Sequence, residues 1–406
     1  MNRRRFLELA TTPLLLGGCS TLSLEDGLMN ECRPRDDKVL AGPRIAAAWE
    51  GLRADRVWDV HVHLLGNGRS DSGIYLDPSF EGGMHPGHRL RHRFFRNAAC
   101  VNGDEKRMDE EVVARLASLA DMQPPGAKYM LLAFDFTYDE RGKRREDLTT
   151  FSIPDAYARR VARAKPDRFE WICSVHPYRE DAVAALEAAK KGGARAVKWL
   201  PPSMGIDVAS QRCNAFYDAL VKLDLPLLVH MGAEEAVPGA GRADLANPLD
   251  VRRPLDRGVR VIVAHCASLG KSPDIEAKSH KNVPNFDLFT RLMSERPYEG
   301  HLFGDISAVT QANRKDVLKD LLARAGDWGG RLLNGSDYPL PGVMPVFSLN
   351  AITAEGVLDA AAIPVLRELR QSNAIMFDFV LKRSLSFKGA KFPASVFETR
   401  DFFVKT

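Results

Sequence analysis

Val261-Ile262-Val263-Ala264-His265 is four apolar residues closed by an imidazole, and the chain repeats that pattern along its length. A run without polar alternation suits a strand covered on both faces, as in a parallel sheet. Similar runs occupy residues 57–63, 128–134, 169–175, 194–200, 226–231, 301–306 and 331–335. With 259–265 they make eight, the number a closed parallel barrel needs. Amphipathic stretches lie between them. Residues 179–191 read as a helix stopped by Gly192-Gly193, and residues 213–223 and 315–325 carry apolar side chains at helical spacing. An alternating βα order leaves a doubly wound sheet or a barrel, and the repeat number favours an α/β fold of the (β/α)8 TIM-barrel kind.

The barrel reading covers residues 56–383, closed by a helix over 363–383, with an aromatic-rich tail at 384–406 expected on the outside. Residues 64–109 are too long for an ordinary βα loop and read as a lid insertion after the first strand. Residues 19–55 form a lead-in with little signal. The composition, 45% hydrophobic and 27% charged over 406 residues, excludes a disordered or collagen-like chain. With 57 basic against 53 acidic residues the net charge is +4, which gives nucleic acid little to hold. No apolar run reaches about 18 residues, so no membrane-spanning helix is expected.

The first residues are read apart from the fold. Met1-Asn2-Arg3-Arg4-Arg5-Phe6-Leu7 leads into an apolar stretch ending Leu16-Gly17-Gly18-Cys19. A basic start, a short apolar segment and small residues before a cut describe an export signal at residues 1–18. Arg-Arg-x-Phe-Leu resembles the twin-arginine signal and Leu-Gly-Gly-Cys resembles a bacterial lipobox. The resemblance implies a lipidated Cys19 that tethers the exported protein to a membrane surface, with the outer membrane preferred. The other five cysteines are scattered and odd in number, so no disulfide framework is expected. A single Cys32–Cys100 bridge is compatible with an oxidising compartment.

Asp59-Val60-His61-Val62-His63 places two imidazoles two apart on the first strand, where they point the same way and can grip one ion. Alone the pair is weak. His230 and His265 end the fifth and sixth runs, Lys198 sits late in the fourth and Asp337 follows the eighth. Groups at the C-terminal ends of barrel strands converge on one mouth. A divalent cation is the economical partner for buried imidazoles and a carboxylate. Asp59 reads as a supporting group and Asp305, in Gly304-Asp305-Ile306-Ser307, as structural. Glu234 and Glu235 follow His230 in a loop. His85, His88 and His92 among Arg89, Arg91, Arg93 and Arg96 read as a solvated basic segment or an anion-attracting one.

The set Asp-x-His-x-His, Val-Lys-Trp, Val-His, Val-Ala-His-Cys and Gly-Ser-Asp-Tyr-Pro resembles the amidohydrolase superfamily. It is most similar to the branch of amidohydrolase-related metal-dependent hydrolases and aromatic-acid decarboxylases. The resemblance implies that His61, His63, His230 and Asp337 ligate the metal and that His265 is a further ligand or an acid/base beside it. It also gives Asp337 the proton of a metal-activated water, and Lys198 either a substrate contact or, when carboxylated, a bridge between two metals. The context of Lys198 favours one divalent ion, zinc first, with manganese and iron as alternatives. Such an ion lowers the pKa of its water from about 16 to about 7 and polarises a carbonyl. The expected activity is hydrolysis of an amide, lactone or ester in a small carbonyl compound. The alternatives are non-oxidative decarboxylation of a small aromatic or enoic acid, and a lipoprotein that binds without catalysis. Substrate identity and oligomeric state stay open.

Overall fold

The computed structural model describes residues 22–80, 86–101 and 103–404; the export signal and Cys19 lie outside the described residues. Eight strands carry the architecture: β1 (Trp58–His63), β2 (Lys128–Leu132), β3 (Phe169–Ile172), β4 (Val197–Trp199), β5 (Leu227–His230), β6 (Val261–Ala264), β7 (Leu302–Asp305) and β8 (Leu332–Leu333). They form two parallel sheets, β1-β2-β3 and β4-β5-β6-β7-β8. Parallel bridges join the sheets at both seams, Cys173 to Val197 between β3 and β4, and Val62 to Tyr338 between the end of β8 and β1. The eight strands therefore make one continuous hydrogen-bonded ring.

Period-two geometry divides each strand between two cores. Val60, Met130, Leu132, Ile172, Leu228, Ile262 and Leu333 meet inside the ring. Their neighbours Val62, Leu131, Trp171, Val197, Val229, Val263 and Leu332 face outward, into the layer of helices. That double burial is why the runs are almost wholly apolar. The helices answer in kind. Ala182–Lys191 buries Ala182, Leu186 and Ala189, one stripe at helical spacing, and the chain turns at Gly193 with φ +95° before the next strand.

Two expectations are corrected. The closing segment is not one helix: Ile363–Ser372 and Ala374–Ser384 break at Asn373. The Asn373 side chain caps the second helix by accepting from Met376 N at 3.0 Å, while its amide donates to Leu119 O at 3.1 Å. An asparagine in extended backbone satisfies an amide that the break between the two helices leaves orphaned. The tail does not lie on the outside of the helical layer. Phe402, Phe403 and Val404 pack on the interior cluster and stop the base of the ring, with Thr399 Oγ1 donating to Trp58 O at 2.5 Å.

The lead-in is ordered and clasped to the ring. Glu25 accepts from Leu349 N, Asp26 pairs with Arg367 and Arg370, and a disulfide joins Cys32 to Cys100. Lys382, on the last helix, donates from Nζ to Gly335 O and to Asp378 Oδ2, each at 2.6 Å. Both side chains are fully buried, and burial pushes the Asp378 carboxyl up to about 7. Lys382→Met leaves that carboxylate without its cation and is expected to lower unfolding free energy at about pH 8 by about 3 kcal/mol. Urea unfolding measures it, and a loss below about 0.5 kcal/mol would mean that the pair is not holding the β8 end in place.

Candidate metal centre

At the C-terminal end of the ring three side chains meet. His61, His265 and Asp337 each offer one ligand atom, and these atoms lie within 4.8 Å of one another. His61 Nε2 is 3.4 Å and His265 Nε2 3.9 Å from the Asp337 carboxylate. His63 Nε2 reaches Asp337 Oδ1 at 3.1 Å, and Lys198 Nζ lies 3.2 Å from His61 Nε2. The His230 ring stands edge-on to His265 with centroids 5.1 Å apart, but its Nε2 is directed at Ala233 O, 3.2 Å away. All six residues named from the sequence line one cavity. The tightest donor group contains His265, while His63 and His230 stand beside it.

The tautomers follow from the partners. Asp305 Oδ2 sits 2.9 Å from His61 Nδ1, and a carboxylate only accepts, so Nδ1 carries the proton and the Nε2 lone pair faces Asp337. Ser307 O, 3.1 Å from His265 Nδ1, imposes the same choice there. Burial holds His61 below the usual imidazole range, helped by the Lys198 charge, and holds His265 well below it. Burial also takes His230 down to about 4. Burial alone would raise Asp337, but the neighbouring imidazoles His265 and His61 outweigh it and hold the carboxyl well below its ordinary range. Two neutral imidazoles and an ionised carboxylate, lone pairs convergent, are a donor set that suits a divalent cation.

The backbone that aims these groups is irregular. Between Asp59 and Val62 the register of β1 against β2 slips by one residue. This bulge lets Val60 join the interior core while its neighbour His61 lines the cavity. Asp59 anchors the bulge, accepting from His61 N at 3.1 Å and Ser336 N at 2.8 Å. Gly335 passes so close that a Cβ there would stand 2.6 Å from His61 Cβ. His265, Cys266, Ala267 and Asp337 all have left-handed backbone, φ +50° to +59°. Such strain, about 1–3 kcal/mol per residue, persists only where surrounding contacts fix it. Asp305 Oδ1 provides one, accepting from His265 N at 3.1 Å and Ser307 N at 2.9 Å.

Above the donor group the cavity, about 170 Å³, is walled mainly by apolar side chains: Leu64, Leu65, Phe80, Phe94, Phe95 and Met108 from 64–109, facing Val237, Leu340 and Val343. Glu234 turns inward to cap its own loop, accepting from Val237 N at 2.8 Å. Residues that the sequence reading missed complete the wall. Arg314 is buried, donates to Ser268 Oγ at 3.1 Å and leaves Nε without a hydrogen-bond partner. Asn313 Nδ2 donates to Glu235 Oε2 at 3.2 Å. Asp305 was read as structural; it is the group that orients His61. Its signal was its place on the seventh strand, two residues before Ser307. His85 lies outside the described residues, and His88 pairs with Ser79 Oγ and stacks on Phe80.

The amidohydrolase family pattern matches residues 58–349, most of the chain and every strand of the ring. The chain belongs to the amidohydrolase family. It is accordingly an enzyme of a family that includes hydrolases and decarboxylases. No curated protein matches it. Similar solved structures include a protein described as a probable 2-pyrone-4,6-dicarboxylic acid hydrolase of Acinetobacter baumannii (14% identity, 81% of this chain and 97% of that one, TM-score 0.42). Others are 5-carboxyvanillate decarboxylase of Sphingomonas paucimobilis (12%, 80% and 96%, 0.39) and 4-oxalomesaconate hydratase of Rhodopseudomonas palustris (12%, 80% and 93%, 0.37). At these identities none assigns a reaction to this chain.

The depressed imidazoles give the metal-free protein a pH dependence. Between about pH 6.5 and about pH 4 these rings in the unfolded chain bind protons that the folded chain refuses, so they lower stability on acidification. His230 alone accounts for about 3 kcal/mol across that window, while carboxyls raised by burial, Asp378 among them, act in the opposite sense. Urea unfolding of the wild type and of His230→Gln at the two ends isolates the imidazole share; the same pH dependence in both proteins would show that the ring is protonated in the fold.

Proposed function

We propose that the chain is a hydrolase that cleaves a C–N or C–O bond of a small carbonyl compound with the help of one divalent metal ion, zinc first. The observation that carries this is the convergence of His61 Nε2, His265 Nε2 and the Asp337 carboxylate at the floor of a largely apolar cavity. A divalent ion held there supplies Lewis-acid polarisation of a carbonyl and a nucleophilic water at neutral pH. His61, His265 and Asp337 would hold it, with His63 within reach of Asp337. His230 completes the set if its ring leaves the Ala233 carbonyl. Asp337, ionised and buried, would also serve as proton acceptor beside the ion. Lys198 Nζ, beside His61, donates to a substrate oxygen, and its contact with a single imidazole supports a one-metal centre. The described residues of 64–109 that wall the cavity act as a lid, which keeps bulk water out while the one attacking water is held inside.

A decarboxylase is the second reading, favoured by Arg314: a buried guanidinium that lines the cavity and leaves one N–H without a partner suits a substrate carboxylate. The two separate in one assay, acid release over amides, lactones and esters against CO₂ release over aromatic and enoic acids. Acid release without CO₂ is expected. Protein purified without chelator is expected to hold about one divalent ion per chain, and His265→Ala to lose at least about tenfold in metal affinity. About two ions per chain would make Lys198 a bridging ligand, and unchanged affinity would remove His265 from the centre.

We also read the chain as an exported lipoprotein anchored at Cys19. The Cys32–Cys100 disulfide supports this, because such bonds persist in oxidising compartments. Cys19→Ala is expected to move the protein from the membrane to the soluble fraction; unchanged fractionation overturns the anchor.

A further inference from the structure

Six large apolar side chains are more than a third exposed among the described residues, and three of them, Leu22 (45%), Leu24 (63%) and Leu28 (37%), lie together in the lead-in. This segment is fastened to the walls of the cavity. Ser23 N donates to Pro345 O at 2.8 Å, Met29 packs on Phe94 and Val343, and Asn30 N donates to Asn97 Oδ1 at 2.7 Å. Phe94 and Val343 are themselves cavity residues. The leucines are thus carried at the mouth end of the ring.

One helix of that wall is basic, with Arg96 paired to Glu105 at 3.3 Å. The helix Pro86–Ala98 reads PGHRLRHRFFRNA, with four arginines and no carboxylate. Its apolar side lines or backs the cavity, while Arg89 and Arg93 are exposed. The carboxylates of the adjoining lead-in are already engaged, Glu25 at the start of the helix Leu349–Ala354 and Asp26 with Arg367 and Arg370. Exposed leucines and, on the helix against which their segment packs, Arg89 and Arg93, which make no ion pair among the described residues, match the interfacial zone of an anionic bilayer.

We propose that the mouth of the cavity rests on an anionic lipid surface through Leu22, Leu24, Leu28, Arg89 and Arg93, and that substrate reaches the site from that surface. The proposal rests on the lipidated Cys19 above. Leu22 lies three positions after Cys19, a reach of at most about 10 Å, so the anchor holds this end of the molecule against the membrane and not the base of the ring. The ligand class follows from the wall. An amphiphile with a carbonyl head and an apolar body passes from the leaflet into an apolar cavity without crossing water, its head arriving at His61, His265 and Asp337.

The test uses the full-length lipidated protein in phosphatidylcholine–phosphatidylglycerol vesicles with brominated acyl chains. A fluorophore is attached at Asn350→Cys, exposed beside the lead-in where Glu25 accepts from its backbone, or at Lys222→Cys, which is exposed and precedes the base of β5. The free cysteines Cys173, Cys213 and Cys266 are buried and stay unlabelled. Quenching at position 350 is expected to exceed that at 222 by about threefold or more, and to approach the 222 level once Leu22, Leu24 and Leu28 are all changed to Ser. Equal quenching at the two positions, or stronger quenching at 222, overturns the orientation; an unchanged ratio in the triple variant overturns the role of the leucines. Circular dichroism confirms the fold of each variant. The readout needs neither metal nor turnover, so an inactive or metal-free protein would sink the hydrolase reading and leave this one standing.

Discussion

The carboxylate of Asp305 is the joint on which the site turns. It is completely buried, yet stays ionised because His61 and the hydroxyl of Ser307 donate to it. One oxygen fixes the His61 tautomer on β1; the other receives backbone amides at the ends of β6 and β7. A single group thereby couples three strands far apart in sequence and sets which imidazole nitrogen faces the cavity. Take away that charge and the left-handed turn at His265 loses an amide acceptor while the His61 ring is free to reverse.

Ring and site share one geometric rule. Alternate strand residues point inward, apolar in the lower layer and polar in the upper, so Leu228 precedes His230; after Ile262 and Ala264 the left-handed turn brings His265 to the same level. The apolar layer and the tail beneath it close the base to water, and the helices outside exclude it from the sides. The donor group therefore sits at the bottom of a well with one opening. The dry well keeps the imidazoles neutral, as a cation needs, while the Asp337 carboxylate stays ionised against that burial through its histidine neighbours.

The strands were legible because double burial leaves an unmistakable local trace, continuous apolar runs of strand length. The residues of the donor group were legible by their place in such runs: His61 in the His-x-His of the first, His265 closing the sixth and Asp337 just after the eighth. The slip in β1 was not, since nothing in Asp59-Val60-His61-Val62-His63 marks which residue is extra; it is set by pairing with β2 and by Asp59 reaching Ser336. The break at Asn373 was hidden because apolar spacing continues through it, and only the amide's contact with Leu119 tells a cap from an interior residue. The tail's aromatics looked like surface cover because a sequence does not say which end of a ring is open. Arg314 lay in a loop without periodicity, and its burial is a tertiary fact.

The bonds that complete the ring are among the least local in the molecule. Thr399 reaches Trp58 across 341 positions, and Val62 meets Tyr338 at the seam. Contacts of that span form late, after chain entropy has been spent on nearer ones. Most of the wall can thus be assembled while the cylinder is still an open, curved sheet whose β1 and β8 edges are unpaired. In that interval the nascent molecule is exposed to sticking edge to edge with its neighbours, a hazard the finished cylinder no longer presents.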